Sequence, residues 1–150
     1  MINLSVAPSC PQSLSELSLT EIITQILVAL SLSTNNDLSV IIADNAFIKE
    51  FNRNFRGIDS PTDVLSFSSD EIDPDTDNRY LGDVIISYEK VLSQSIAHNI
   101  TEKCELLLLI THGILHLLGY DHDTDTNKEK MWLQQTKILD TLDCSIQGDL

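Results

Sequence analysis

Three of the four histidines in this sequence fall within a single stretch of eleven residues, HGILHLLGYDH, at positions 112–122. His112 and His116 are four residues apart, so on a helix both imidazoles project from one face, about one turn from each other. Gly119 follows where a helix C-cap needs a positive φ, which glycine adopts at low cost. The chain can then turn back and present His122 to the same point. Three neutral imidazoles with one open position are the ligand set of a catalytic zinc ion.

A structural zinc site is the alternative, and it would be closed by a fourth protein ligand, usually a cysteine. Cys104 lies on the same face of the predicted helix, but about 12 Å along its axis from His112, which is too far to share a metal. Cys10 and Cys144 have no motif spacing to the histidines. Three scattered cysteines, an odd number, predict reduced thiols in a cytosolic protein.

The residue after the first histidine restricts the chemistry of such a site. In zinc peptidases of the HExxH type, a glutamate at this position takes a proton from the zinc-bound water and delivers it to the leaving amine. Here the residue is Gly113, which has no side chain for that task. Zinc alone still lowers the pKa of bound water to about 7. A phosphodiester, whose charge nearby cations can clamp, is therefore a better candidate substrate than a peptide.

The overall charge bears on that candidate. A formal charge of −14 argues against non-specific adhesion to DNA, RNA or an anionic membrane, because the summed field repels polyanions. A nucleic-acid role must therefore depend on a local basic site. One predicted helix carries a row of three cations opposite an apolar face of Ile48, Phe51 and Phe55. The cations are Lys49, Arg53 and Arg56. This row could bind phosphate, and a solvated helix face is the alternative.

With 150 residues, the chain predicts one domain, 1–150, with a core of its own. Short strands and connections of mixed length favour an α+β fold. Strands are predicted at 2–6, 38–43, 64–67 and 82–87, and a loop at 70–77. Helices are predicted from Ser13, with a capping box to Glu16, from Asp44 to Gly57, and over 88–98, 100–118 and 127–142.

The helix that carries His112 is apolar nearly all round, which predicts that it lies inside the domain. Its most apolar run, Leu106 to Ile110, is too short to span a membrane. The N-terminus lacks the basic and apolar regions of a signal peptide. We therefore expect a cytoplasmic protein without a membrane partner. His98, near the predicted end of another helix, is assigned no function beyond a favourable dipole interaction.

The histidine segment and two segments upstream of it resemble those of a known family. HGILHLLGYDH fits the pattern H-G-x-L-H-L-x-G-Y-D-H of the YbeY-type bacterial rRNA-maturation endoribonucleases at every defined position. Upstream, FNRNFRGIDSPTDVLSF at 51–67 and LGDVIIS at 81–87 are similar to segments of the same family. The resemblance spans roughly residues 45 to 142, and the first 44 residues carry no signature. The acidic loop at 70–77 departs from the family and argues against an RNA path across that edge.

The resemblance implies an α+β domain with a small mixed four-stranded sheet, about five helices and a central helix that carries the metal-binding histidines. It implies one zinc ion on His112, His116 and His122. It also implies a single-strand-specific endoribonuclease acting in rRNA processing, notably at the 3′ end of 16S rRNA, and in ribosome quality control. Its partners would be single-stranded rRNA and the small ribosomal subunit with its assembly factors, and DNA is not among them.

The functional arginine of the family falls on Arg56, which would stabilise charge on the transition state. The carboxylates of Asp63, Asp83 and Asp121 could orient a histidine, with capping or turn formation as the alternative. Two other functions stay open: a zinc peptidase-like hydrolase, and a non-enzymatic ribosome-assembly factor with a structural zinc. The negative charge favours the second of these slightly, because basic ribosomal proteins attract an acidic partner.

Overall fold

The structure is a computed structural model that describes residues 1–15, 17–32 and 35–144. It is an α+β fold, as the sequence predicts. The strands are β1 Ile2–Val6, β2 Asn36–Ala43, β3 Val64–Ser68 and β4 Arg79–Ser87. The helices are α1 Leu17–Ala29, α2 Asn45–Arg56, α3 Tyr88–His98, α4 Glu102–Leu117 and α5 Asp125–Thr141, with a 3-10 turn at Gln12–Ser15 before α1. The capping box predicted from Ser13 involves Glu16, which lies outside the described residues.

The four strands form one mixed sheet in the order β1-β2-β4-β3. β1, β2 and β4 are parallel, and β3 runs antiparallel to β4 along the edge. β4 begins at Arg79, earlier than the predicted start at Gly82. The register between β2 and β4 shifts where Asp37 pairs with Tyr80 but Leu38 pairs with Gly82. Leu81 is thus the extra residue of a β-bulge, which lets the strand continue through a glycine that alone would suggest a strand end.

Helix α4 is the centre of the core, as its apolar sequence predicts. It contacts β3, β4, α3 and α5. Eleven of its sixteen residues are buried, including polar Glu105 and Thr111. The histidines at its C-terminal end are therefore fixed by packing on several sides. Among the described residues, no helix is both long enough and apolar enough to cross a membrane.

Gly113 packs directly against the sheet. A Cβ atom at this position would lie 2.5 Å from Cγ1 of Val84 and 3.2 Å from Oγ of Ser66. The Ser66 hydroxyl also donates a hydrogen bond to the Gly113 carbonyl, at 3.0 Å. A side chain at position 113 would thus point into β3 and β4, away from the histidines. The glycine that replaces the peptidase glutamate is required here by helix–sheet packing.

Helix α2 lies on the surface and has the predicted ends. The Asp44 carboxylate accepts a hydrogen bond from the Phe47 backbone N–H at 2.9 Å, and Gly57 ends the helix with a φ of 72°. The predicted apolar face is only partly buried. Ile48 is fully buried, whereas Phe55 is 67% exposed. Phe55 lies on the predicted face, where its ring is 5.5 Å from that of Phe51, but the helix extends beyond the edge of the core at this point.

The prediction of three reduced thiols is also wrong. Cys104 and Cys144 form a disulfide, with their Cα atoms 5.4 Å apart, and Cys10 is a buried free thiol. The two bonded cysteines are 40 residues apart in the chain. Helix α5 returns along α4, so that its C-terminal end lies beside the first turn of α4. This tertiary contact cannot be read from cysteine spacing.

Candidate metal centre

The three histidines converge on one point. One ring nitrogen from each of His112, His116 and His122 lies within 4.8 Å of the other two. The Nε2 atoms of His112 and His116 are 3.1 Å apart. Two nitrogen ligands of a tetrahedral zinc lie about 3.4 Å apart, since each Zn–N bond is about 2.0–2.1 Å. The donor set and its spacing therefore fit a single ion of this kind.

The turn after α4 brings the third histidine to this point. Gly119 has a φ of 96°, in the left-handed region that glycine adopts at low cost. Its N–H donates to the His116 carbonyl and the Tyr120 N–H to the Leu115 carbonyl, both at 3.0 Å. This is the hydrogen-bond pattern of a Schellman motif. The reversal predicted from the histidine–glycine spacing is thus confirmed.

The environment of the histidines favours the form that binds metals. Burial lowers the pKa of His112, and the neighbouring His116 lowers it further. Burial also lowers the pKa of His116, as do His122 and, more weakly, Arg56. A neutral imidazole has a free lone pair for an ion, whereas an imidazolium has none.

The orientation of His112 is set by a residue that the sequence analysis missed. The Nδ1–H of His112 donates to Oε1 of Gln135 on α5, at 3.1 Å. This contact leaves Nε2 as the nitrogen available to an ion. Gln135 is only 7% exposed, and Met131 and Ile138 on the same face of α5 are buried. The one signal in the sequence for this contact was the amide of Gln135 on an otherwise apolar face of α5.

Two of the three aspartates proposed from the sequence lie at the site. Asp63 and Asp121 both line the cavity that contains the histidines. Asp63 accepts from the Val64 N–H at 2.8 Å and from Gln94 Nε2 at 3.3 Å. Asp121 accepts from the His122 N–H at 2.7 Å. Asp83 instead accepts from the Tyr80 hydroxyl and orients no histidine.

Arg56 lies in the wall of the same cavity, whose volume is about 440 Å³. The other residues in the wall are the three histidines, Thr62, Asp63, Val64, Leu65, Ser66, Ser68 and Asp121. Lys49 and Arg53, the other members of the basic row, are not in this wall, and Lys49 faces Asp59 at 3.9 Å. Of the basic row, only Arg56 thus reaches the histidines.

A second cavity, of about 270 Å³, adjoins the first and shares Asp63 and His112 with it. Its wall contains an imidazole–carboxylate pair, in which His98 Nδ1 is 2.8 Å from Glu105 Oε2. Glu105 is fully buried, and within the described residues its Oε1 has no hydrogen-bond partner. Burial raises the pKa of Glu105, against the opposing effect of His98. From the sequence, His98 is assigned only a favourable interaction with the helix dipole, because its partner Glu105 comes from the next helix.

The fold and the site together define a small α+β protein in which three histidines and an arginine share one cavity. The chain belongs to the YbeY endoribonuclease family, since the family model described as Endoribonuclease YbeY matches residues 8–143. The match extends into the N-terminal region, where the sequence alone offered no signature.

Individual relatives support the same assignment. The chain is 44% identical to the Endoribonuclease YbeY of Clostridioides difficile (strain 630) over 111 residues, which are 72% of each chain. It is 44% identical to that of Sulfurihydrogenibium sp. (strain YO3AOP1) over 129 residues, 85% of this chain and 84% of the relative. A Thermotoga maritima protein solved in solution has a similar structure, with a TM-score of 0.64 and 32% identity. That match covers 93% of this chain and 87% of the other.

Proposed function

We propose that this protein is a zinc-dependent, single-strand-specific endoribonuclease that acts in ribosomal RNA processing in the cytoplasm. Its proposed substrate is the 3′ end of 16S rRNA, and the same activity would serve ribosome quality control. The observation that carries the proposal is the cavity shared by Arg56 and the three histidines. Membership of the YbeY family supports the nuclease activity.

The proposed mechanism assigns separate tasks to the residues of the cavity. His112, His116 and His122 would hold the zinc ion, which when bound supplies Lewis-acid charge and lowers the pKa of a water molecule. Arg56 binds the phosphate and stabilises the charge that develops on its oxygens in the transition state. The hydroxyl of Ser68, which also lines the cavity, is an additional hydrogen-bond donor for the phosphate.

The carboxylates in the cavity wall take the place of the peptidase glutamate. Asp63 and Asp121 can accept a proton from the attacking group, a role that position 113 cannot have because it faces the sheet. This orientation also counts against the zinc peptidase alternative. The assembly-factor alternative requires a closed metal site, whereas within the described residues the candidate ligand group consists of three histidines and no fourth ligand.

The net charge indicates how the substrate is captured. At −14, the chain repels free RNA at long range. We expect that docking to the small ribosomal subunit raises the effective concentration of rRNA at the cavity. Cleavage of free RNA would then be slow and strongly dependent on salt.

The test is cleavage of a single-stranded RNA that carries the mature small-subunit 3′ end. The wild type would be compared with His116→Ala, Arg56→Ala and Arg79→Ala, with zinc content measured for each preparation. Arg79 is a matched control, because it is exposed and paired with Asp70 at 3.1 Å, outside the cavity wall.

We expect His116→Ala to lose both zinc and cleavage. Arg56→Ala should keep its zinc and lose about 10²- to 10³-fold in rate, as is typical when one donor to a developing negative charge is removed. Arg79→Ala should cleave like the wild type. Equal cleavage by all four preparations would identify a contaminating nuclease and bring the assembly-factor alternative forward.

A further inference from the structure

An aromatic cluster, formed by Phe51, Phe55 and Phe67, lies on the surface beside the metal cavity. The ring centroid of Phe55 is 5.5 Å from the ring centroid of Phe51 and also 5.5 Å from that of Phe67. Phe51 and Phe67 are partly buried against a small core of Ile48, Leu65 and Ile85. Phe55 rests on these two rings and is itself 67% exposed. Its ring is therefore held in place without being covered.

The cluster and the cavity meet at the edge strand β3. Phe55 directly precedes Arg56, which lies in the cavity wall. Side chains alternate between the two faces of a strand, so Phe67 lies on one face of β3 while Ser66 and Ser68 line the cavity on the other. A ligand whose phosphate contacts Arg56 would therefore reach the ring of Phe55 by passing over the edge of the sheet at β3.

The charge next to the ring selects the kind of ligand. Arg56 directly follows Phe55, and within the described part of the chain it forms no ion pair with an acidic side chain. Arg53 is two positions before Phe55, about 200° around the helix, and lies on the opposite face. An exposed aromatic ring next to an unpaired cation is an arrangement by which proteins bind single-stranded nucleic acids: the cation contacts the backbone and the ring stacks on a base. An apolar protein partner would instead bury the charge of Arg56 without compensation.

We infer that Phe55 is the stacking platform for an unpaired base of the RNA strand whose phosphate occupies the metal cavity. The inference rests on the proposed function and deepens it, because it gives a physical origin for single-strand specificity. Bases within a duplex are stacked on one another and cannot offer a face to Phe55. Only an unpaired nucleotide can contact the ring and Arg56 together.

The test measures the affinity of the zinc-loaded protein for a fluorescein-labelled, fully 2′-O-methylated single-stranded oligonucleotide, by fluorescence anisotropy. The variants are Phe55→Ala, Phe55→Tyr and Phe47→Ala. Phe47 is a matched control because its ring also packs on Phe51, at 5.0 Å, and is 37% exposed. It lies eight residues before Phe55, about 12 Å away along the helix.

Removing an aromatic side chain on which a base stacks typically lowers the affinity for the oligonucleotide about five- to hundredfold. We therefore expect Phe55→Ala to lose at least about fivefold in affinity. Phe55→Tyr, which keeps the ring, should bind within about twofold of the wild type, and so should Phe47→Ala. A series of oligonucleotides, each with one abasic position, adds a second comparison. At one position the missing base should weaken binding by the wild type and have no further effect on Phe55→Ala.

The possible outcomes distinguish failure of the stacking role from failure of the proposed nuclease function. If the wild type binds the oligonucleotide and Phe55→Ala binds equally well, the stacking role is overturned and the nuclease proposal stands. An abasic effect that persists at every position in Phe55→Ala would also overturn it, since the loss would then come from elsewhere. A wild type that neither binds the oligonucleotide nor cleaves the corresponding RNA would overturn both.

Discussion

Helices α4 and α2 both contribute to one cavity, but they are embedded in the protein very differently. α4 is surrounded by β3, β4, α3 and α5 and has eleven buried residues. α2 has two buried residues, Ile48 and Asn52, while Asn45 and Phe51 are partly buried and its other residues are exposed. The buried helix holds His112 and His116, two of the three proposed metal ligands, whereas the exposed helix carries Arg56 and Phe55, the proposed contacts to RNA. Changes in α4 should therefore act through stability and metal binding, and changes in α2 through substrate contacts.

The largest effect is expected where α4 meets the sheet. Gly113→Glu would restore the peptidase motif, but its Cβ alone would lie 2.5 Å from Val84 Cγ1. Overpacking of this kind costs about 1–3 kcal/mol, and a buried unpaired carboxylate adds several more. We expect little folded protein, and a smaller loss for Gly113→Ala, measured by urea denaturation. A folded, stable Gly113→Glu enzyme would mean that position 113 does not face the sheet.

The disulfide between Cys104 and Cys144 ties the first turn of α4 to the end of α5. Cys104→Ser should lower the free energy of unfolding by about 2–4 kcal/mol, because opening a loop of this length frees the unfolded chain. The wild type in excess dithiothreitol should match the variant in its urea midpoint. If dithiothreitol did not change the urea midpoint of the wild type, this would argue against a disulfide in the folded protein.

A smaller effect is expected at the partner of His112. Gln135→Leu keeps the approximate volume but removes the acceptor for His112 Nδ1–H, 3.1 Å away. Loss of such an orienting contact typically lowers metal affinity about 10- to 100-fold. Zinc affinity would be measured by competition with a chromogenic chelator. Unchanged affinity would show that packing alone orients the His112 ring.

Glu105 links the stability of α4 to pH. Because burial raises its pKa above the ordinary 4.5, the folded protein holds this proton more tightly than the unfolded chain does. The contribution of Glu105 to the free energy of unfolding is therefore complete below the pKa that its carboxyl has in the unfolded chain. This contribution is lost as the pH rises through the higher pKa of the carboxyl in the folded protein. Glu105→Gln should show a smaller fall in unfolding free energy as the pH rises from about 5 to 8.

The control for this pH series is Glu129→Gln, which replaces an exposed glutamate on α5. It should follow the wild-type curve. If Glu105→Gln and the wild type have parallel curves, the carboxyl of Glu105 has the same pKa in both states of the protein.

The smallest effect is expected on α2. Lys49 and Asp59 are 3.9 Å apart and both are largely exposed. Lys49→Ala should change the free energy of unfolding by less than about 0.5 kcal/mol, because exposed pairs contribute little. RNA cleavage should also stay within about twofold of the wild type. A large loss of cleavage would extend the functional part of the basic row beyond Arg56.

The same contrast explains what the sequence could predict. The proposed ligands His112, His116 and His122 depend on helix periodicity and one glycine turn, so local spacing was sufficient to find them. The Asp44 cap and most element boundaries are equally local. The proposed role of Arg56 came from the family resemblance. The basic row alone was also compatible with a solvated helix face that binds nothing.

The features that the sequence could not predict all depend on contacts between distant segments. The pairing of Cys104 with Cys144 and of His112 with Gln135 requires the packing of α5 on α4. The exposure of Phe55 depends on where the sheet ends beneath α2. Hydrophobic periodicity marks the face of a helix that can be buried, but only tertiary structure decides how far along the helix it is covered.

The turn at Gly119 divides the candidate metal centre into two parts that differ in their resistance to local unfolding. His112 and His116 belong to the most buried helix, whereas His122 is exposed on the segment that follows. Native-state hydrogen exchange should therefore be slow at the amides of the first two and fast at the third, which can detach by local unfolding. The lifetime of the complete ligand set is then governed by this short segment, and added global stability would not lengthen it.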